Sequence, residues 1–349
     1  MSKKRAIEPA VLRSTIHDVA ARAGVSVTTV SRVLNGRPDV SEATRASVLK
    51  QVEQTGYESN RSARSLVIGS SGLIGVTVPA VQAEYYGQLV AGVAEALYEH
   101  DLRVVLCPTR DEHDREISLL ARLMLGTTDG AILIHPAETS EELLHVRHHE
   151  YPLVVIDPPL PIDRSIPVVG SAHWSGGRVA TEHLLGLGHR RIGVITGPAR
   201  CIASKDRLAG YRSALLEAGI EPDVDLWQEA DFTVEEGQVA AERLLGLQPR
   251  PSAIFALNDN MAVGVLHAAK RRGIVVPDEL SVVGVDDAGL AATVVPRLTT
   301  IRQPLQEMGR VAVSLLWRIL QERQIEAAPV LLSTELIVRE STALVSTSP

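Results

Sequence analysis

The chain has 349 residues, of which 45% are hydrophobic, and a formal net charge of −7 at pH 7. This length exceeds one ordinary domain and the apolar content is sufficient for large cores. The first residues are polar and basic without an apolar run, so no signal peptide is predicted, and no stretch approaches the roughly 20 apolar residues that span a bilayer. Cys107 and Cys201 have no motif spacing, which is typical of a reducing compartment. We therefore expect a cytoplasmic protein of several domains.

Residues 15–35, which read TIHDVAARAGVSVTTVSRVLN, predict two short helices that cross over a small shared core. Thr15 and Asp18 have the spacing of a capping box, and Gly24 allows a left-handed turn. Ser26 is a favourable cap for the second helix. The apolar residues of the core would be Ile16, Val19, Ala20, Ala23, Val25, Val30 and Val33. This pattern predicts a helix-turn-helix, whose second helix reads the major groove of DNA; the alternative is an ordinary helical hairpin with a polar outer face.

The second helix exposes short or bidentate side chains, which have the right size to meet base edges. The residues of this module that we predict to contact DNA are Thr15, Ile16, Ser26, Val27, Thr28, Thr29, Ser31, Arg32 and Asn35. After a turn at residues 36–39, a third helix follows, and the module ends near Tyr57. Residues 1–68 hold eleven Lys and Arg against six acids, a balance of +5, which leaves −12 on residues 69–349. A basic module attached to an acidic body indicates contact with phosphates.

Residues 60–67, NRSARSLV, join this module to the rest of the chain and can form two helical turns. In such a helix Arg61 and Arg64 would face phosphates, whereas Ala63 and Leu66 would form an apolar edge. An exposed leucine is unusual in a passive tether, which favours Gly, Ser or Pro. We therefore predict that all four residues contact DNA; the alternative is a stray leucine in a flexible linker.

From Leu73 onward, short apolar runs alternate with helical patterns, which is typical of parallel sheets covered by helices on both faces. The predicted strands are residues 73–78, 104–107, 131–135, 153–156, 168–170, 192–196, 253–257 and 280–285. The predicted helices between them include residues 88–100, 177–187, 207–218, 234–247 and 261–272. A helix at 305–320 and a strand at 331–338 follow. Because these strands are too many for one sheet, we expect two α/β lobes divided near Gly170.

Motifs of catalysis and of cofactor binding are not found in the sequence. The glycines at 69, 72 and 75 precede a strand instead of following one, so they could not place a phosphate at a helix N-terminus. No Walker-A sequence and no nucleophile elbow occur. His145, His148 and His149 lie among glutamates on a polar helix, where a solvated face is the better interpretation than a metal site. We predict no catalytic residue, no cofactor and no metal.

Polar residues that directly follow the predicted strands are candidates for binding a small molecule, because ligands of open α/β sheets bind beyond the carboxyl ends of the strands. The candidates on this ground are Asp157, Asn258 and Asp286. The predicted site also includes Arg207, at the start of a helix, and the aromatic residues Tyr85, Tyr86 and Phe232. Carboxylate, amide and guanidinium groups hold sugar hydroxyls through paired hydrogen bonds, and aromatic rings form flat walls. Each has a structural alternative: Asn258 and Asp259 could cap a helix, Asp286 and Asp287 could form a turn, and Tyr86 could belong to the core.

The chain resembles the lactose-repressor (LacI/GalR) family of bacterial transcription regulators from residue 14 to about residue 340. The resemblance is carried by the order and spacing of several segments, namely residues 15–35, 40–45, 56–66, 187–193, 206–211, 258–262 and 285–287.

The resemblance implies a helix-turn-helix headpiece at residues 1–58, a hinge helix at 59–69 and a two-lobed, periplasmic-binding-protein-like core at 70–349. Three crossovers would give a first lobe of about 70–170 and 301–328 and a second lobe of about 171–300 and 329–342. Asp157, Arg207, Phe232, Asn258 and Asp286 fall where family members touch their effectors. The hinge would fold on DNA and insert Leu66 into the minor groove. One departure is that Ala172-His173 stand where the family commonly has Asp-Asn.

We therefore expect a repressor of carbohydrate-utilisation genes that binds a palindromic DNA operator under the control of a small sugar effector. One headpiece reads only a half-site, so a homodimer is expected, and the polar residues 341–349 are too short for a tetramerising heptad tail. A purine- or nucleoside-responsive regulator is the alternative within this class. A sugar-binding transport component is opposed by the headpiece and by the missing signal peptide, and a sugar kinase or dehydrogenase by the missing phosphate loops.

Overall fold

The computed structural model describes residues 14–34, 37–55, 57, 70–322 and 328–345. These residues divide into two compact units, with the boundary between Ser71 and Gly72. The predicted DNA contacts Asn35, Arg61, Ala63, Arg64 and Leu66 lie outside the described residues.

The first unit contains three helices, α1 (Ile16–Ala23), α2 (Val27–Leu34) and α3 (Glu42–Thr55). The predicted capping box is present: the backbone N–H of Thr15 donates to Asp18 Oδ2 at 2.7 Å, and that of Asp18 donates to Thr15 Oγ1 at 3.4 Å. Gly24 ends α1 with φ 68°. The buried core of this unit consists of Val19, Ala20, Val30, Val33 and Val48. The predicted helix-turn-helix is thereby confirmed.

The second unit contains twelve strands within the described residues, most of them separated by helices. The strands are β1 (Leu73–Val78), β2 (Arg103–Pro108), β3 (Gly130–Ile134), β4 (Leu153–Ile156), β5 (Val168–Ser171), β6 (Ile192–Thr196), β7 (Trp227–Glu229), β8 (Ala253–Ala256), β9 (Ser281–Asp286), β10 (Thr299–Arg302), β11 (Val330–Leu332) and β12 (Glu335–Ile337). The helices are α4 (Glu84–Glu99), α5 (His113–Arg122), α6 (Ser140–His148), α7 (His173–Gly186), α8 (Ile202–Glu217), α9 (Val234–Leu245), α10 (Asp259–Arg271), α11 (Gly289–Thr293) and α12 (Leu305–Glu322).

The strands form two six-stranded sheets, one in each lobe. The strand order is β11-β5-β4-β3-β1-β2 in the first lobe and β12-β10-β9-β8-β6-β7 in the second. Neighbouring strands are parallel, except that β12 runs antiparallel to β10. The two lobes therefore repeat one topology, and the chain crosses between them three times. The predicted two-lobed α/β core with parallel sheets is confirmed.

The predicted positions of the crossovers need correction. Residues 331–338 do not form one strand, because β11 adds to the first sheet and β12 to the second, with only Ser333 and Thr334 between them. The third crossover therefore follows Leu332 instead of residue 328. The second follows Arg302, since β10 pairs with β9 through that residue, and the first follows Ser171.

Several helices of the core begin earlier than predicted, and this places site residues in their first turns. Helix α4 begins at Glu84, α7 at His173 and α8 at Ile202, where starts at residues 88, 177 and 207 were expected. Helices α7 and α8 pack closely at Gly177, where a Cβ atom would lie 2.1 Å from the carbonyl oxygen of Arg207. A side chain at Gly177 would therefore push Arg207 away from the lobe interface.

Candidate functional site

Helix α2 presents the side chains that were predicted to read DNA. Its first turn is capped by Ser26, whose Oγ accepts from the backbone N–H of Thr29 at 3.1 Å and lies 2.9 Å from Thr29 Oγ1. Val30 and Val33 face the core, whereas Thr28 and Arg32 are exposed. Arg32 Nη1 lies 3.3 Å from Asp39 Oδ2, and both side chains are more than half exposed. Such an exposed ion pair contributes little to stability, so Arg32 can exchange it for a base or a phosphate.

Most of the predicted DNA contacts of this unit also have a structural role. Ile16 and Val27 are half-buried against the core, so they hold the two helices together as well as lying near the surface. Thr15, Ser26 and Thr29 make the cap hydrogen bonds described above, and Ser31 is half-buried. The sequence pattern could not distinguish these roles, because a short helix uses the same few residues for its caps, its core and its outer face.

In the second unit, two aspartates occupy equivalent ends of the two sheets. Asp157 follows β4 and Asp286 ends β9, strands that hold the same place in the two strand orders. Both residues have left-handed backbones, with φ 50° for Asp157 and φ 122° for Asp286. Strained backbone of this kind is costly and is characteristic of ligand sites. The lobes thus present their carboxylates toward a common cleft.

Asp157 is held by side chains from two helices at the lobe junction. Tyr85 Oη in α4 donates to Asp157 Oδ2 at 2.7 Å, and His173 Nε2 in α7 lies 2.7 Å from Asp157 Oδ1. Burial would by itself raise the pKa of Asp157, but the adjacent His173, the hydrogen bonds from His173 and Tyr85, and the charge of Arg207 bring this pKa well below its usual range. The carboxyl group is therefore ionised over the whole physiological pH range.

Arg207 connects this cluster to the second lobe. Its guanidinium is buried, donates from Nη1 to the carbonyl oxygen of Leu257 at 2.6 Å, and places Nη2 3.2 Å from His173 Nδ1. Since the guanidinium can only donate, His173 Nδ1 accepts, and Nε2 carries the proton that is donated to Asp157. Arg207 Nη2 also lies 3.9 Å from Asp286 Oδ1.

Asp286 has fewer donors than Asp157. Gln303 Nε2 donates to Asp286 Oδ1 at 2.6 Å. Burial raises the pKa of Asp286 to about 6, against the opposing effects of Arg207, Gln303 and His173. Asp259, which is 1% exposed, supports the loop beyond this strand: it accepts from Thr300 Oγ1 at 2.6 Å and from the backbone N–H of Ala288 at 3.0 Å.

The other predicted site residues lie at the same edge of the lobes, with mixed roles. Asn258 caps α10, since its Oδ1 accepts from the backbone N–H of Met261 at 2.8 Å, and its Nδ2 donates to the carbonyl oxygen of Phe232 at 3.0 Å. The capping interpretation of Asn258 is therefore correct. The Phe232 ring covers Gly197, where a Cβ atom would lie 2.0 Å from it. Tyr86 packs against the core of the first lobe and edge-on to Tyr85, with 5.2 Å between ring centroids.

Two residues of the cleft were not predicted. His173 was noted only as a departure from the family pattern, and Gln303 follows β10, a short strand that periodicity did not reveal. For Gln303 the available signal was again a polar side chain directly after a strand.

The geometry defines a class of protein: a helix-turn-helix unit combined with a two-lobed core whose cleft holds a buried array of polar groups. Comparisons with known proteins agree. Residues 15–60 match the model for bacterial regulatory proteins of the lacI family, and residues 181–342 match that for a periplasmic binding protein-like domain. The catabolite control protein A of Priestia megaterium is 32% identical over 94% of this chain and 99% of its own. The ribose operon repressor of Escherichia coli is 36% identical over 91% of this chain and 98% of its own.

Solved structures show the same likeness. The lac repressor dimer bound to operator and to the anti-inducer ONPF superimposes with a TM-score of 0.84 at 29% identity, and covers 95% of this chain and 99% of its own. The complex of the transcriptional regulator CelR with cellobiose gives a TM-score of 0.72 at 34% identity, and covers 94% of this chain and 100% of its own. The chain belongs to the lacI family of bacterial regulatory proteins and is a DNA-binding transcription regulator. Among its described residues, no helix is long and apolar enough to cross a membrane.

Proposed function

We propose that this chain is a homodimeric repressor of carbohydrate-utilisation genes, which binds a palindromic operator and is controlled by a sugar in the cleft between its lobes. The observation that carries the proposal is the buried array Tyr85, Asp157, Arg207 and Asp286, assembled from both lobes around one point. Hydroxyl groups of a sugar both donate and accept, so they match an array of two carboxylates, a guanidinium and a phenol.

Several relatives support a sugar, and others support a purine. The ribose operon repressor and the CelR–cellobiose complex are named for sugars. A relative named HTH-type transcriptional repressor PurR, from Edwardsiella ictaluri, is 33% identical to this chain. The Phe232 ring could stack on either a pyranose or a purine. We favour the sugar, because carboxylates from both lobes converge on the cleft and the hydroxyl groups of a sugar can donate to both of them.

The remaining elements of the proposal follow from DNA binding. A single α2 helix reads one half-site, so specific affinity requires two copies of the headpiece on a palindromic site. The operator lies in the cytoplasm, and the protein acts there. The relatives of this chain are named as repressors and regulators, and its cleft groups are arranged to hold a ligand, so we propose a regulator without enzymatic activity.

A ligand screen tests the proposed effector class. The purified protein is heated with ribose, cellobiose, glucose, adenine, guanine and hypoxanthine, one at a time, and any compound that raises the melting temperature is added to an operator-binding assay. We expect a sugar to raise the melting temperature and to change operator affinity. A response to purines alone would replace the sugar by a purine, and a response to neither would contradict the proposal.

A substitution in α2 tests how DNA is read. Arg32→Ala should cost about 1–3 kcal/mol of binding free energy on the operator and little on random DNA, because a bidentate contact to guanine discriminates between bases. Arg22→Ala, in the last turn of α1, is the matched control, since it removes the same charge from outside α2. Equal losses for Arg32→Ala on both DNAs would show that Arg32 contacts only phosphate.

A further inference from the structure

His173 occupies the point where the two lobes join. It is the first residue of α7 and comes directly after the first crossover, two residues beyond β5. Its side chain is buried, with 7% of the residue exposed. A histidine buried among charged groups is costly unless both ring nitrogens are satisfied. Here both are.

The ring of His173 joins one lobe to the other. Nε2 donates to Asp157 Oδ1 at 2.7 Å, in the first lobe, and Nδ1 accepts from Arg207 Nη2 at 3.2 Å, in the second. Asp157 and Arg207 are two of the groups that we propose to bind the effector. One imidazole therefore contributes to the orientation of both groups and links the two lobes at this point.

The same contacts limit what the guanidinium can do. Arg207 uses one donor on Leu257 and another on His173, and Asp286 lies 3.9 Å away. An arginine that is already engaged and flanked by two carboxylates is a poor partner for an anionic ligand, which needs a free two-point fork. A hydroxyl group needs one acceptor and one donor, which Asp157 and Arg207 still supply.

We propose that His173 is a specificity-determining and positioning residue of the effector cleft, which holds Asp157 and Arg207 so that they accept a neutral polyhydroxyl compound and reject a sugar acid. This inference rests on the proposed function, because it concerns the same cleft. It adds the residue that selects the effector and the class of compound that is selected.

Three substitutions at this position separate the contributions of the two hydrogen bonds. His173→Gln can place an amide N–H near the position of Nε2, so that it keeps the bond to Asp157. His173→Asn can place a carbonyl oxygen near the position of Nδ1, so that it keeps the bond to Arg207. His173→Ala removes both. Trp174→Ala is the matched control, since this neighbouring residue is 42% exposed and its ring lies beneath Arg178.

The measurements are the dissociation constants of ribose, cellobiose, glucose and gluconate for the full-length protein and each variant, with melting temperatures to verify folding. We expect the neutral sugar that binds best to lose about tenfold to hundredfold in affinity in His173→Ala, since hydrogen bonds to charged groups are involved. His173→Gln and His173→Asn should each lose less. The ratio of the dissociation constant of gluconate to that of the neutral sugar should fall in all three variants. Trp174→Ala should match the native protein in both constants.

The outcomes separate this inference from the proposed function. If the native protein binds none of these sugars, both are wrong. If it binds a neutral sugar and the His173 variants keep its affinity and its preference over gluconate, only the role of His173 is wrong. A loss of affinity with an unchanged preference would also overturn the specificity role. If His173→Ala does not fold, the same ratio of dissociation constants in His173→Gln and His173→Asn tests the specificity role.

Discussion

The two lobes of the core have the same strand order, yet the pKa values of the equivalent aspartates at their edges shift in opposite directions. Asp157 accepts from Tyr85 and His173, and its pKa lies well below the usual value, whereas Asp286 accepts from Gln303 and its pKa is raised to about 6. Both are buried on the same scaffold. Burial alone raises the pKa of a carboxyl group, so the number and charge of the donors decide the sign of the net shift.

This difference shows how a repeated fold becomes an asymmetric binding site. The scaffold fixes where the two carboxylates lie, and the crossover segments supply different partners to each. One lobe then contributes a fixed negative charge. The other contributes a group whose charge depends on what else lies in the cleft.

The largest effect should come from removing the cation between the two aspartates. Arg207→Ala leaves both buried carboxylates facing each other, so effector affinity should fall by about 2–5 kcal/mol while operator binding persists. Calorimetry with the sugar found in the ligand screen, together with an operator-binding assay, measures both. Arg178→Ala, which removes exposed ion pairs with Glu182 and Glu217, is the control and should have little effect. An Arg207→Ala protein that responds at native ligand concentrations would contradict the assignment.

Isosteric substitutions test the difference between the aspartates directly. Asp157→Asn should weaken effector binding by about 2 kcal/mol, because it removes a charge that accepts two hydrogen bonds.

Asp286→Asn should weaken effector binding less below pH 6, where the native group is largely protonated. Since the folded pKa of Asp286 lies above its ordinary value of 3.8, its carboxyl group stabilises the fold fully below that value, and the stabilisation is lost as the pH rises through about 6. The melting temperature of the native protein should therefore decline between pH 4 and pH 7 more than that of Asp286→Asn. Equal pH profiles for the two proteins would argue against the raised pKa.

The smallest effect concerns a carboxyl pair of the first lobe that has no counterpart to Arg207. Glu116 and Glu138 are 1% and 2% exposed, and Glu116 Oε2 accepts from the backbone N–H of Ala137 at 2.9 Å. The carboxyl groups of Glu116 and Glu138 also interact with each other. Burial, together with the charge of Glu116, raises the pKa of Glu138 to about 8.

The sign of the pH dependence follows from this raised pKa. The folded pKa of Glu138 exceeds its ordinary value of 4.5, so the stabilisation is complete below pH 4.5 and is lost as the pH rises through about 8. Glu138→Gln should therefore lose less stability than the native protein as the pH rises from 6 to 9. Chemical denaturation at the two pH values measures this, with Glu141→Gln on exposed α6 as the control. A parallel loss of stability in both variants would contradict the prediction.

The sequence predicted the parts of the fold and the site that depend on local order. Runs such as residues 153–156 and 192–196 are apolar throughout, and this allowed the strands and the residues after them, including Asp157, to be located. The starts of α4 and α7 were placed too late, because Gly87 and the pair Gly176-Gly177 are unfavourable in helices. Tertiary packing overrides that preference where helices approach closely.

The remaining features depend on contacts between distant parts of the chain. His173 meets Arg207 across 34 positions, and Gln303 meets Asp286 from a strand of four residues with no apolar run. Similarly, nothing local in residues 331–338 shows that the chain changes sheets between Leu332 and Glu335. These contacts can be inferred only when the order of the strands in the sheets is known.

The short passage from β11 to β12 has a consequence for how the protein tolerates damage. Each of these strands covers the outer edge of its sheet, and only Ser333 and Thr334 separate them. A polypeptide that terminates before Val330 would uncover β5 and β10 together, and so present two unpaired ladders to other chains. Late nonsense mutations should therefore produce aggregated or proteolysed protein, and the cell should lose the regulator entirely instead of keeping one that binds its operator but ignores its signal.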